Sequence, residues 1–143
     1  MILYCDTSAL LKHYIEEAET AAVQRLVIAS QQIVTSLITE LEFTSAIERL
    51  KHERRLDSPT YRAAFSVLDR DIQRGFISLV EISPEISKNA KRIIRQRRLR
   101  FPDAIQLASA LKAQEEYGSV NFATFDNKLL EAAKLEGLRC VYF

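Results

Sequence analysis

Five short apolar runs constrain this chain more than any other feature. They are "MILYC" (Met1–Cys5), "IVTS" (Ile33–Ser36), "FISLVEI" (Phe76–Ile82), "VNFATF" (Val120–Phe125) and "RCVYF" (Arg139–Phe143). Such runs read as strands covered on both faces, the pattern of parallel sheets, whereas a half-exposed strand alternates apolar and polar residues. The segments between them repeat apolar residues at helical spacing. Ser8–Ile15 reads as one helix, and Glu17–Ala29 as a second with a stripe at Ala22, Leu26 and Ala29. Leu37 to about Arg54 places Phe43, Ala46, Ile47 and Leu50 on one side. Ser58 is the expected cap of a helix with Pro59 in its first turn and a stripe at Tyr61, Phe65, Leu68 and Ile72, ending at Gly75.

Ser83-Pro84 starts another helix, with Ile86, Ala90, Ile93 and Ile94 inward and basic residues outward. Pro102 opens a helix running to about Tyr117, and Asn127–Glu136 makes the last one before Gly137. Strands alternating with helices predict an α/β fold: a mainly parallel five-stranded sheet with helices on both faces. At 143 residues, with no repeat or linker, one domain over 1–143 is expected. No apolar run approaches the roughly 20 residues of a membrane span and no basic-then-apolar leader precedes the first strand, so a cytoplasmic protein is expected. Cys5 and Cys140, both in strand-like runs, read as buried free thiols. His13 and His52 read as surface residues, and the Tyr and Phe residues sit mostly at core spacing, with no base-stacking platform in view.

The net charge of +1 conceals an uneven distribution. Lys88–Arg100 holds seven Lys or Arg and no acid, which leaves 13 basic and 19 acidic residues elsewhere, a net of −6. A basic strip on an acidic body is either a solvated helix face or a footprint for nucleic acid.

"RFPDAIQLASAL" (Arg100–Leu111) places Asp103 at the start of a helix otherwise apolar on most sides. Three more acids stand where a parallel sheet would gather them. Asp6 follows the first strand, Asp126 follows the fourth, and Glu42 lies one to two turns into the helix after the second. Each alone is explained by capping, a helix dipole or a surface charge. Together they would repel unless protons or cations held them. With no His or Cys at ligand spacing, hard oxygen donors favour Mg²⁺ or Mn²⁺ over zinc, and such a site serves phosphate chemistry.

Asp6 in "DTSAL", Glu42 in "SLITELE", Asp103 in "FPDAIQLASAL" and Asp126 in "ATFDNKLLEAAKLEGL" resemble the four acidic motifs of PIN-domain nucleases. In size and arrangement the chain is similar to VapC-type toxins of toxin–antitoxin pairs, and the resemblance covers nearly all of it. It implies a PIN-like three-layer fold and a metal-dependent endoribonuclease that hydrolyses an internal phosphodiester. It implies Asp6 and Asp103 as principal Mg²⁺ or Mn²⁺ ligands, with Glu42 and Asp126 completing the pocket. Glu40 and Glu42 point about 200° apart on a helix; the family's Ser-x-x-x-x-x-Glu spacing from Ser36 selects Glu42, and Glu40 stays an alternative. Ser8 and Thr124 would either hydrogen-bond the carboxylates or pack at the strand ends. Arg98 and Arg100 would contact RNA phosphates. A cognate antitoxin and a homodimer are the implied partners.

Two other Mg²⁺-dependent readings fit poorly. A haloacid-dehalogenase-type phosphatase wants an Asp where Ser8 stands, and a phosphoaspartate receiver wants an acidic pair where Tyr4-Cys5 stand. The rival of another class is a PIN-like module that grips RNA or a partner without cutting.

Overall fold

The computed structural model describes all 143 residues, Met1–Phe143. Its strands are β1 (Ile2–Cys5), β2 (Gln32–Ser36), β3 (Ile77–Val80), β4 (Asn121–Ala123) and β5 (Arg139–Cys140). They form one sheet of order β3-β2-β1-β4-β5, parallel throughout. The helices are α1 (Thr7–Tyr14), α2 (Thr20–Ile28), α3 (Ile38–His52), α4 (Ser58–Gln73), α5 (Pro84–Arg97), α6 (Phe101–Tyr117) and α7 (Asn127–Leu135).

The alternation of side chains along each strand divides the core into two layers. Leu3, Cys5, Ile33, Ile77 and Ala123 pack with α1 to α4 on one face. Tyr4, Val34 and Phe122 pack with α5, α6 and α7 on the other. The sequence runs read as continuously apolar because both faces are covered. The chain winds outward from β1 to β3, then returns through α5 and α6 to β4 on the far side of β1. Parallel crossovers keep one hand, so reversing direction puts the later helices on the opposite face. The reversal falls between β1 and β4, which makes the carboxyl ends of those strands the expected ligand crevice. No helix is long and apolar enough to cross a membrane.

Several local expectations change. β3 and β5 are shorter than the runs that announced them, because the sheet's pairing ends before the apolar sequence does. α2 begins at Thr20 rather than Glu17 and buries Val23 and Val27, one residue along from the expected stripe. Asp57, not Ser58, caps α4, its carboxylate accepting from the Thr60 amide. Ile94 is turned out to solvent, since Ile86, Ala90 and Ile93 already fill the seam against α6. His52 is exposed, but His13 is half-buried edge-to-face against Tyr14. Both cysteines are free thiols, Cys5 buried as expected of both and Cys140 only partly so.

Candidate active site

Asp6 follows β1 at its carboxyl end, beside its sheet neighbour β4, its amide donating to the Ala123 carbonyl at 3.1 Å. It is the N-cap of α1 and only 5% exposed. Oδ1 accepts from the Ala9 amide at 3.0 Å and the Ser8 hydroxyl at 2.7 Å, and Oδ2 accepts from the Thr124 hydroxyl at 2.6 Å. Burial nonetheless pushes the Asp6 carboxyl up to about 6, against the pull of those three donors and with a smaller push from Glu42. Two donors saturate Oδ1, while Oδ2 keeps a lone pair that no protein group uses.

Ser8 and Thr124 do more than pack at strand ends. Ser8 Oγ also accepts from the Phe125 amide at 2.9 Å, and Thr124 Oγ1 from the Asp126 amide at 3.0 Å. Each hydroxyl therefore ties Asp6 to the loop that carries Asp126. Asp126 caps α7 through Oδ1, which accepts from the Leu129 amide at 2.8 Å, and its Oδ2 has no protein donor.

Asp103 lies in the first turn of α6, where the helix dipole favours a negative charge; the N-cap is Arg100. No group donates a hydrogen bond to it, and Arg100 Nε approaches Oδ2 only to 3.9 Å. Partial burial raises its carboxyl above the usual range, and Asp126 and Glu42 add to the rise against Arg100 and Lys128. Glu42 is half-buried in the second turn of α3. Its Oε1 accepts from Thr7 Oγ1 at 2.8 Å and Gln106 Nε2 at 2.9 Å, which leaves Oε2 without a protein donor. Glu40, the alternative, forms no side-chain hydrogen bond or ion pair, and Glu42 is the acid whose charge reaches Asp6 and Asp103.

Gln106, buried in α6, went unnoticed in the sequence, where it looks like one polar position in an apolar helix. So did Phe101, 65% exposed two residues before Asp103, which departs from the expectation of aromatics at core spacing. Phe101 and Leu41 help line a groove of about 490 Å³ that also reaches Thr7, Ser8, Glu42 and Arg49.

The donor set suits a hard divalent cation. All four acids offer carboxylate oxygen, each has an oxygen with spare capacity, and their mutual repulsion is what a cation relieves. No group of three or more His, Cys, Asp or Glu side chains stands where it could hold a metal ion. Mg²⁺ does not require one, since it is commonly held by one or two carboxylates and completed by water and phosphate oxygens.

The basic strip is smaller than its sequence suggests. Glu136, at the end of α7, takes Arg92 in a two-pronged pair at 3.0 and 3.1 Å and Arg97 at 2.9 Å. Lys88, Lys91, Arg95 and Arg98 stay exposed and unpaired. Arg98 ends α5 in the left-handed region, φ 56°, and its carbonyl accepts from Lys128 at 2.8 Å. That turn lets α6 begin three residues later and sets Arg98 and Arg100 just before Asp103.

Fold and acids together define a parallel α/β protein with acids within charge reach of one another where the strand order reverses. The chain belongs to the PIN domain family, which matches residues 3–135. Among solved structures it is similar to PAE2754 from Pyrobaculum aerophilum, at 22% identity and TM-score 0.61 over 97% of this chain and 83% of that one. It is similar to FitAcB from Neisseria gonorrhoeae, at 15% identity and TM-score 0.67 over 99% and 97%. A toxin–antitoxin complex from Klebsiella pneumoniae matches at 24% identity and TM-score 0.52 over 83% of each chain. No curated protein matches it by sequence.

Proposed function

We propose that this chain is a Mg²⁺- or Mn²⁺-dependent endoribonuclease, the toxin of a toxin–antitoxin pair, working in the cytoplasm as one PIN unit over residues 1–143. The observation that carries the reading is Asp6: a buried carboxylate at the strand-order reversal, held by three donors, within charge reach of Glu42. Asp6 and Asp103 are the principal metal ligands, with Glu42 and Asp126 completing the pocket. A divalent cation bound there neutralises a phosphodiester and makes water a stronger nucleophile.

The remaining work falls to the chain itself. Ser8 and Thr124 hold the Asp6 carboxylate in one orientation. Arg98 and Arg100 bind backbone phosphates beside the acids, which would otherwise repel RNA, and Lys88, Lys91 and Arg95 extend that contact along α5. The Klebsiella neighbour is a complex of toxin and antitoxin; by analogy an antitoxin covers the acidic crevice here. A homodimer is the expected assembly.

The test is cleavage of mixed, labelled RNAs by the purified protein in Mg²⁺, Mn²⁺ or EDTA, beside Asp103→Asn. The expected result is cleavage that needs metal and falls at least about 100-fold in the variant, the scale of removing an electrostatic group from such a site. Cleavage that survives both EDTA and the substitution overturns the reading. Metal and RNA binding without cleavage assigns the chain to the non-catalytic class instead.

A further inference from the structure

Beneath the acids lies a buried polar network centred on Gln106. Tyr4, fully buried in β1, donates its hydroxyl to Gln106 Oε1 at 2.7 Å. Glu42 Oε1 can only accept, so Nε2 of the Gln106 amide faces Glu42 and Oε1 faces the Tyr4 hydroxyl. Nε2 carries two hydrogens: Thr39 Oγ1 and Glu42 Oε1, each at 2.9 Å, take them, and Thr7 Oγ1 at 3.1 Å is the longest, shared contact. Thr7 spends its own hydrogen on Glu42 Oε1 at 2.8 Å. Thr35 donates to the Cys5 carbonyl at 2.7 Å, so the 2.7 Å contact between Thr35 and Thr39 takes its hydrogen from Thr39. One amide thus joins β1, α1, α3 and α6 under the crevice. Gln106 and the three threonines are each 9% exposed or less.

The chemistry of Glu42 follows from this. Both donors converge on Oε1, so the carboxylate cannot rotate without breaking two hydrogen bonds, and Oε2 is the oxygen presented outward. A Gln at a buried position costs free energy unless it is fully paired. Here the pairing is complete, and its product is one acid held in one rotamer.

We infer that Gln106, oriented by Tyr4, is a positioning residue that fixes Glu42 with Oε2 directed at the proposed metal site. The inference rests on the metal-site reading above. Such outer groups set the orientation of metal-binding acids, and their loss costs about 10–100-fold in affinity or activity.

The test is Mn²⁺ binding by calorimetry on the full chain, together with thermal melting and RNA cleavage. Gln106→Met keeps the length and loses the amide. It leaves the buried Tyr4 hydroxyl without its acceptor, so it should melt several degrees below the wild type while unfolding in one transition. It should bind Mn²⁺ at least about tenfold more weakly and lower kcat with little change in KM for RNA. Tyr4→Phe keeps the ring stacked on Phe122 and removes one hydrogen bond that holds the amide; it should weaken Mn²⁺ about threefold, the worth of one neutral hydrogen bond. In a Glu42→Gln background, Gln106→Met should cost no further Mn²⁺ affinity, because it acts through Glu42. Wild-type affinity in both single variants, or losses that multiply in the double variant, overturns the role of Gln106. A wild-type chain that binds no Mn²⁺ overturns the metal-site reading itself.

Discussion

At the scale of single residues, Asp6 carries a conflict that its position forces on it. A carboxylate 5% exposed loses most of its hydration, and the Ser8, Ala9 and Thr124 donors return only part of it, which is why its carboxyl is pushed up to about 6. Asp6→Asn removes the buried charge and keeps the shape. In metal-free buffer it should melt a few degrees higher, corresponding to about 1 kcal/mol. Mn²⁺ should raise the melting temperature of the wild type and leave that of the variant unchanged. A metal-free variant that melts below the wild type would mean the three donors outweigh the desolvation. Asp6, Asp103 and Asp126 could each be singled out in the sequence because a strand end or helix start was predictable around them, whereas Glu42 was separated from Glu40 only by the resemblance to the PIN motif spacing from Ser36. Gln106 could not, since its meaning comes from Tyr4, 102 residues away, and Thr39, 67 residues away.

At the scale of elements, α5 and α7 meet through a clasp that no local pattern announces. Glu136 is 11% exposed and receives both Arg92 and Arg97, so its carboxyl sits below the ordinary range, chiefly because Arg92 hydrogen-bonds it. A lowered folded value means that protons bind more readily to the unfolded chain. The clasp's stabilisation is therefore complete above the usual Glu value of about 4.3 and disappears as pH falls through the folded value. Glu136→Gln should cost about 2 kcal/mol at pH 7, the scale of hydrogen bonds to a charged group. Melting curves from pH 7 down to pH 3 should show the gap between the two proteins closing. A gap that stays constant with pH would assign the loss to packing instead. The strand runs and helix stripes were legible because each is a periodicity within one segment. The length of β5, the outward turn of Ile94 and the true cap of α4 were not, because pairing partners and neighbouring turns decide them.

At the scale of the whole molecule, charge is segregated: acids within charge reach of one another where the strand order reverses, with a line of cations leading away along α5. The net of seven bases in Lys88–Arg100 overstates that line, because Glu136 occupies two of them. What remains free is Lys88, Lys91, Arg95 and Arg98, with Arg100 loosely drawn to Asp103 at 3.9 Å. If these cations carry RNA, binding must release counterions, and the logarithm of affinity must fall with the logarithm of salt at a slope set by the phosphates neutralised. Arg98→Gly is a suitable deletion, because φ 56° is costly for arginine and natural for glycine, so the charge goes without strain at the turn into α6. Combined with Arg100→Gln it should flatten the salt slope by about one unit per lost contact, while Mn²⁺ affinity stays near that of the wild type. Lys88→Gln, far along α5, should cost less affinity than either change beside Asp103. RNA affinities measured across a salt series for these variants decide the matter: parallel lines for wild type and double variant would place the RNA elsewhere, and the strip would then be a solvated face.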